Sequence, residues 1–330
     1  MSEEVVSIGV DLGGTKIEAA VLKRPRSALT SDEPLSKAGY EVLLRERVAT
    51  NRDRGYEAIV ETAARLILDV AKNAGLDIVK TPVGVGMPGA ITRRTQVVKN
   101  SNTTCMNGKP FHTDLMKQVG REIVFDNDAN CFALAEARLG AARAQVNGVV
   151  FGVIMGSGVG GGIVVDGKVW GGPQNIAGEW GHHAVGPWGG KEVGQTPGGT
   201  LSPRAVCYCG RTGCLELYTS GVWVEHDYER RAGVKRKLSE IATRSDDPHA
   251  KAALEELVEA FGRGLANVIN ILDPSAVVLG GGVSNLDLLY KEGVARVKKY
   301  VFNDELETPI VRHMLGDSAG VLGAALLDGG

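Results

Sequence analysis

The chain has 330 residues, 43% of them hydrophobic and 23% charged, with a net charge of −2. That is the balance of an ordinary soluble globular protein long enough for two domains, with no basic block to meet nucleic acid or an anionic membrane. No apolar run reaches the about 18 residues of a transmembrane helix, and the stretch MSEEVVSIGVDLGG is acidic, unlike a signal peptide, so the cytoplasm is the expected location.

Val5 to Leu12 reads as a strand that ends on Asp11. Gly13, Gly14, Thr15 and Lys16 follow, and Ile17 to Leu22 is a second apolar run. Strand, glycine turn and strand make a hairpin whose tip carries a carboxylate, a hydroxyl and an ammonium. Such a tip is either a plain polar turn or a phosphate hairpin. In the second reading glycine N–H groups and Thr15 meet phosphate oxygens, and Asp11 holds magnesium, directly or through water. The second is preferred, because Asp11 to Lys16 packs many phosphate-compatible groups into one turn. Residues 24 to 40 carry Pro25, Ser27, Ser31 and Pro34 with little periodicity and read as an exposed loop. Ile59, Val60, Ala63, Leu66, Ile67, Val70 and Ala74 recur at helical spacing between Gly55 and Gly75, with Gly75 as C-cap. Pro82 to Gly89 is a strand running into a Pro-Gly turn. Asn100, Ser101 and Asn102 follow, then a turn at Asn107-Gly108; the cluster is either plain surface or a set of amides for hydroxyls.

Ile123 to Phe125 is a short strand, and Asp126-Asn127-Asp128-Ala129-Asn130 opens a helix to about Leu139. One of Asp126, Asn127 and Asp128 should cap it, but capping uses a single residue. A further carboxylate at a helix N-terminus, where a strand ends, is where α/β proteins place ligand chemistry. Asp128 is the candidate general base.

Val149 to Met155 is a strand ending in Gly156-Ser157-Gly158. Gly156 to Gly161 matches G-x-G-x-x-G, yet the dinucleotide fingerprint needs a helix next, and Ile163 to Val165 read as a strand entering an Asp166-Gly167 hairpin turn. Gly162 to Lys168 nearly matches a P-loop, but Val169 stands where Ser or Thr must bind magnesium. What remains is a glycine turn between strands, a nest of N–H groups for phosphate. Glu179 and His182 follow, and then a Gly- and Pro-rich stretch, Gly186 to Gly199, read as a mobile loop. Cys207, Cys209 and Cys214 fall close together among five cysteines, which favours metal over disulfide in a cytosolic chain. With His182 or His183 they complete a closed, structural zinc site. Cys105 and Cys131 should be buried small hydrophobes. A helix carrying Trp223 and Tyr228 begins at Ser220 or Gly221, and Pro248 to Leu272 is a long helix ended by Asp273-Pro274. Ala276 to Leu279 is a strand delivering Gly280, Gly281 and Gly282, either a tight junction or backbone against which adenine or ribose lies. Leu286 to Tyr300 is a helix and Ile310 to Met314 a strand. Asp317 to Leu327 is a small-residue helix that must pack very closely.

These motifs together resemble the ROK family of sugar kinases and sugar-responsive repressors, over essentially the whole chain. They are Asp11-Leu-Gly-Gly-Thr-Lys16, Asn127-Asp128-Ala-Asn130, the turn from Gly156 to Gly162, Glu179-Trp-Gly-His182, and Cys207-Tyr-Cys-Gly-Arg-Thr-Gly-Cys214-Leu-Glu216. Residues 98 to 111 with Glu179-Trp180 look closest to bacterial fructokinases of the mannose/fructose-phosphorylating type. The resemblance implies an α/β, actin-like ATPase or ribonuclease-H-like fold, with two α/β domains around a central cleft, in a homodimer. The smaller domain would be 1–126 with 316–330, the larger 127–315. It implies ATP-dependent phosphorylation of the 6-hydroxyl of fructose, with glucose, mannose, N-acetylglucosamine and N-acetylmannosamine as alternatives. Carried over, Asp128 is the base. Asn102, Asn127, Asp128, Glu179, His182 and Glu216 hold the sugar. Asp11, Gly13, Gly14, Thr15, Lys16, Gly156, Ser157, Gly158, Gly281 and Gly282 contact ATP, with Mg2+ at Asp11. His182, Cys207, Cys209 and Cys214 bind Zn2+. The gap from His182 to Cys207 is longer than in the family at large and matches an insertion in its fructokinase-type members. The repressors carry a helix-turn-helix domain before the hairpin, where only ten residues precede Asp11 here, so a regulator is the lesser reading.

Overall fold

Ile8, Val10 and Leu12 alternate with Ser7, Gly9 and Asp11, the period of two expected of a strand with two different faces. The structure, a computed structural model that describes residues 4–25, 39–185 and 206–327, shows this strand as β1 (Glu4–Leu12). Of the exposed loop expected over 24–40, residues 26–38 lie outside the described residues, as does the loop expected over 186–199, while Arg24 and Tyr40 are buried and the second strand runs to Pro25. Two compact units are present: Met1–Gly152 with Gly162–Ala177 and Met314–Gly330, and Val153–Gly161 with Gly178–His313.

In chain order the first unit adds β2 (Lys16–Pro25), β3 (Glu41–Ala49), α1 (Tyr56–Asn73), β4 (Val83–Met87), the short pair β5 (Ala90–Ile91) and β6 (Val98–Lys99), α2 (Phe111–Val119), β7 (Val124–Asn127) and α3 (Asp128–Arg138). Its sheet runs β3-β2-β1-β4-β7. β2 is antiparallel to β1, while β4 and β7 are parallel, which is the ribonuclease-H-like pattern. Ile8 and Val10 join Ile59, Ala63, Ile67 and Val70 of α1 and Phe111 and Leu115 of α2 in one buried cluster. The opposite face is made of small residues. Gly9 and Gly84 are register partners, and a Cβ on either would strike the backbone of the last helix, α9 (Ala319–Ala325). Ser7 Oγ donates to Ala325 O at 2.7 Å on the same face.

β8 (Val149–Met155), β9 (Val159–Val165) and β10 (Lys168–Val169) follow, and β9 turns into antiparallel β10 through Asp166 (φ 49°) and Gly167 (φ 70°). That is the two-residue hairpin an Asp-Gly pair specifies, and a strand stands where the dinucleotide fingerprint needs a helix. The second sheet is ordered β10-β9-β8-β11-β12, with β11 (Ala276–Gly280) parallel to β12 (Ile310–Arg312). The second unit's helices are α4 (Glu216–Thr219), α5 (Gly221–Ala232), α6 (Leu238–Ile241), α7 (Pro248–Leu272) and α8 (Val294–Tyr300). Asp247 caps α7 by accepting from His249 N and Ala250 N, Pro248 sits in its first turn, and Asp273 ends it at φ 44°. Among the described residues no helix is long and apolar enough to cross a membrane.

Several expectations shift. The edge strand β3 was not foreseen, because its residues are mostly exposed and lack apolar alternation. Nine-residue α2 is too short for a periodic signal. The helix expected over Leu286 to Tyr300 forms over 287–300, with a π-helical turn, Leu289–Gly293, leading into α8. The last helix begins at Ala319 after a 3-10 turn, Gly316–Ser318. The unit division also differs from the expected one, which ran at 126/127 and 315/316. α3 sits in the first unit because it packs on α9, where a Cβ at Gly323 would overlap the carbonyl of Cys131. Gly323→Ala tests this packing. Helix propensity favours Ala by about 1 kcal/mol, but overpacking costs about 1–3 kcal/mol. A lower thermal midpoint by circular dichroism is expected; an unchanged or raised midpoint would mean that α9 does not lie so close.

Candidate active site

In the first unit the hairpin tip follows from backbone economy. β1 and β2 pair from Glu4–Pro25 to Leu12–Ile17, leaving residues 13 to 16 to turn, closed by Gly13 N donating to Lys16 O at 2.9 Å. Asp11 and Glu18 are register partners. Glu18 is buried, held by Arg45 and Arg47 of β3, and Lys16 Nζ lies 3.9 Å from it. Burial first, then the charge of Glu18, pushes the Asp11 carboxyl up to about 6. A single carboxylate beside glycine N–H groups suits Mg2+ carried by a polyphosphate, since Mg2+ is usually held by one or two carboxylates with phosphate oxygens and water.

At the C-terminal end of β7, Asn127 caps α3 by accepting from Ala129 N at 2.8 Å, and its Nδ2 donates to Gly89 O at 3.0 Å. Asn127 is therefore the cap among the three candidates. Asp128 opens the helix half-buried, its Oδ1 accepting from Ala129 N at 2.8 Å. Asp126 points elsewhere: its Oδ1 accepts from Asn130 Nδ2 and from Asn127 N, both at 2.7 Å, and burial holds its carboxyl above the usual range. Asn127 and Asn130 line a cavity of about 80 Å³ with Met87, Gly89, Ile91, Phe125 and Asn175. Asn102 is exposed on a loop braced by Asn107, whose side chain pairs with both N and O of Ser101.

In the second unit, a ring nitrogen of His182 and the Sγ atoms of Cys207, Cys209 and Cys214 all lie within 4.8 Å of one another. His182 Nδ1 is 3.7 Å from Cys207 Sγ, and Cys209 Sγ is 3.5 Å from Cys214 Sγ. Four such donors around zinc at about 2.0–2.3 Å would be separated by similar distances, so the residues fit a closed tetrahedral site. His182 is the imidazole of this cluster. His183 packs instead against Trp180 and Gly264, with Nε2 buried and unpaired among the described residues. His182 Nε2 meets Tyr208 Oη at 2.8 Å, so its two nitrogens face different partners.

Glu216, 7% exposed, accepts from Val159 N at 3.0 Å through Oε2, which also lies 3.1 Å from where a Gly158 Cβ would stand. The sugar candidate Glu216 and the turn candidate Gly158 are thus adjacent. Gly156, Ser157 and Gly282 share a cavity of about 650 Å³ with Val222, Leu238, Val283 and Leu286. Its apolar wall and glycine backbone suit a nucleoside. Gly281 does not line it; a Cβ there would strike Met155 O. Glu179 is exposed beside Trp180, whose Nε1 donates to Gly160 O at 2.9 Å.

Two groups at the hairpin tip carried no sequence signal. Arg52 Nη1 and Thr103 Oγ1 each stand 3.6 Å from the point a Cβ on Gly14 would occupy. Arg52 lies in no recognisable motif, Thr103 has no assigned role in the 98 to 111 stretch that contains it, and only folding brings them to Gly14.

The profile of the ROK family matches residues 7–328. The chain is 37% identical to the N-acetyl-D-glucosamine kinase of Vibrio cholerae over 97% of its own length and 98% of that protein's. The ROK hexokinase of Thermus thermophilus superposes with a TM-score of 0.77 at 29% identity, over 98% of this chain and 97% of that one. The ROK family glucokinase of Streptomyces griseus, solved with glucose and AMPPNP, gives 0.70 at 27%, over 98% of each chain. The fold is that of the actin-like ATPases.

Ionising Asp11 in the folded protein costs stability, since its folded value of about 6 exceeds the usual 3.8. That cost is absent below about 4 and grows as pH rises through about 6. Asp11→Asn should therefore raise the thermal midpoint of the ligand-free protein at pH 7 to 8, with the gain shrinking between pH 6 and 4. A gain that does not change with pH would refute the assignment.

Proposed function

This chain belongs to the ROK family and is an ATP-dependent sugar kinase, and we propose that its sugar is N-acetyl-D-glucosamine, phosphorylated at the 6-hydroxyl. What carries the substrate reading is the full-length similarity to an N-acetyl-D-glucosamine kinase. The cavity at Asn127 supports it: Met87, Ile91 and Phe125 offer a wall for a methyl group. Asn130 Oδ1 is buried there without a partner among the described residues and needs a donor such as an amide N–H. Fructose stands as the second reading, favoured by residues 98 to 111 and Glu179-Trp180.

In this reading Asp128 accepts the proton of the 6-hydroxyl as its oxygen attacks the γ-phosphorus. Asn102, Asn127, Glu179, His182 and Glu216 hold the other sugar hydroxyls. Asp11, Gly13, Gly14, Thr15 and Lys16 hold the phosphates, while Gly156, Ser157 and Gly158 and the cavity at Gly282 hold the rest of ATP. Phosphoryl transfer has little covalent work for the protein; positioning and charge neutralisation dominate. Mg2+ arriving with ATP at Asp11 supplies part of that neutralisation. Zn2+ on His182, Cys207, Cys209 and Cys214 is assigned a structural role, tying the Glu179 loop to the segment that carries Glu216. We assign the active species as a homodimer.

The test is ADP release from ATP and magnesium with N-acetylglucosamine, N-acetylmannosamine, fructose, mannose and glucose, each offered alone. The highest kcat/KM is expected with N-acetylglucosamine; a preference for fructose would transfer the assignment to the second reading. On the preferred sugar, Asp128→Asn should lose turnover by about 100-fold or more, as for loss of a base, while still binding sugar. Turnover within a few-fold of the wild type would remove Asp128 from that role.

A further inference from the structure

The hairpin tip carries two carboxylates at its base. Asp11 and Glu18 are register partners at its base. Arg45 and Arg47 pair with Glu18, and Lys16, the phosphate cation of the hairpin itself, lies 3.9 Å from the same carboxylate. A cation that Glu18 does not hold would be free to meet the phosphates of ATP at this turn.

Arg52 is that cation. The chain leaves β3 at Ala49, and Thr50, fully buried, fastens it to the tip. Thr50 N donates to Thr15 O at 3.0 Å, and Thr50 Oγ1 donates to Gly13 O at 2.7 Å. Asn51 then turns at φ 55°, and a 3-10 turn, Arg52–Arg54, brings the Arg52 guanidinium back over the glycines. Its Nη1 stands 3.6 Å from the missing Cβ of Gly14, and Thr103 Oγ1 stands 3.6 Å from the same point. Among the described residues the guanidinium has neither a hydrogen bond nor an ion pair. An arginine at the bare face of a glycine turn, unpaired and beside a hydroxyl, presents donors where a phosphate oxygen would sit.

We infer that Arg52 is a further catalytic residue, contacting the transferred γ-phosphoryl group of ATP beside Gly14. The inference rests on the reading of the hairpin tip as the phosphate site. As the bond from the sugar 6-oxygen to the γ-phosphorus forms, the bond from that phosphorus to the β–γ bridging oxygen breaks. ADP leaves with the electron pair, and the hydroxyl proton passes to Asp128. Charge spreads over the three equatorial oxygens of the group in flight, and a guanidinium supplied from the same chain stabilises it.

The experiment uses Arg52→Gln and Arg52→Ala with the wild type. Mg-ATP and Mg-ADP affinities are measured by calorimetry without sugar, and turnover is measured on the preferred sugar. In Arg52→Gln, kcat should fall about 100-fold, as for other groups aimed at developing charge, with the sugar KM within about two-fold. ATP affinity should fall about tenfold and ADP affinity by less than about two-fold, since only ATP carries the γ-phosphate. Added guanidinium should restore part of the turnover of Arg52→Ala, which a merely structural role would not allow. Unchanged kcat with unchanged ATP affinity, or equal losses for ATP and ADP, would overturn the inference. A wild type that turns over no sugar, yet loses ATP selectivity in Arg52→Gln, would refute the sugar reading and keep the arginine. A wild type that phosphorylates a sugar alongside an unimpaired Arg52→Gln would do the reverse.

Discussion

The first unit depends on how closely its last helix approaches its sheet. Gly9 and Gly84 lie side by side on adjacent strands, and both would collide with α9 if they carried side chains. Gly86 faces Cys131 on α3 in the same way, and Gly323 lets α9 and α3 touch backbone to backbone. Packing at this distance leaves no tolerance for an extra methyl group. Its consequence is positional: with α3 locked by α9, Asn127 and Asp128 are presented at the end of β7 by rigid elements. The geometry of the proposed base, held by backbone contact, does not drift as loop-borne geometry does.

Charge is handled by a common device. Glu18 is buried under two arginines, and Glu136, fully buried in α3, accepts from the backbone N–H groups of Ala141, Met314 and Leu315. Asp227 takes Arg230 at 2.7 Å and Arg231 at 2.8 Å, and Glu259 takes Arg263, Arg296 and Tyr300. Buried carboxylates that are saturated in this way are inert. Asp11 is the contrast: it is half-buried beside another carboxylate and is pushed up to about 6. A carboxylate in that state gains from any cation brought to it, as expected of a group whose partner arrives with the substrate.

Substrate choice within the family turns on finer features than the chemistry does. The groups assigned to phosphate, base and metal meet parts of the reaction that do not change with the hexose. Discrimination between an acetamido group and a hydroxyl at one sugar carbon must come from a wall and a hydrogen-bond partner at that carbon. The cavity with its unpaired Asn130 Oδ1 is the feature of the first unit that has this character.

The amino-acid sequence alone determined most of the secondary structure and the chemistry-bearing motifs, because both are written locally. Alternation in β1, the Asp-Gly turn after β9, the Asp247-Pro248 start of α7 and the close cysteines are each set by residues a few positions apart. The tertiary structure decided what depends on residues far apart in the chain. It chose His182 over His183 for the thiol cluster, because only the position of the 206–214 segment tells them apart. It chose Asn127 as the cap, drew α3 into the first unit, and placed Glu216 against the glycine turn at Gly158. It also brought Arg52 and Thr103 to Gly14 across 38 and 89 residues of chain. No local pattern encodes these last contacts, because sheet pairing and close helix packing produce them only once the distant segments have met.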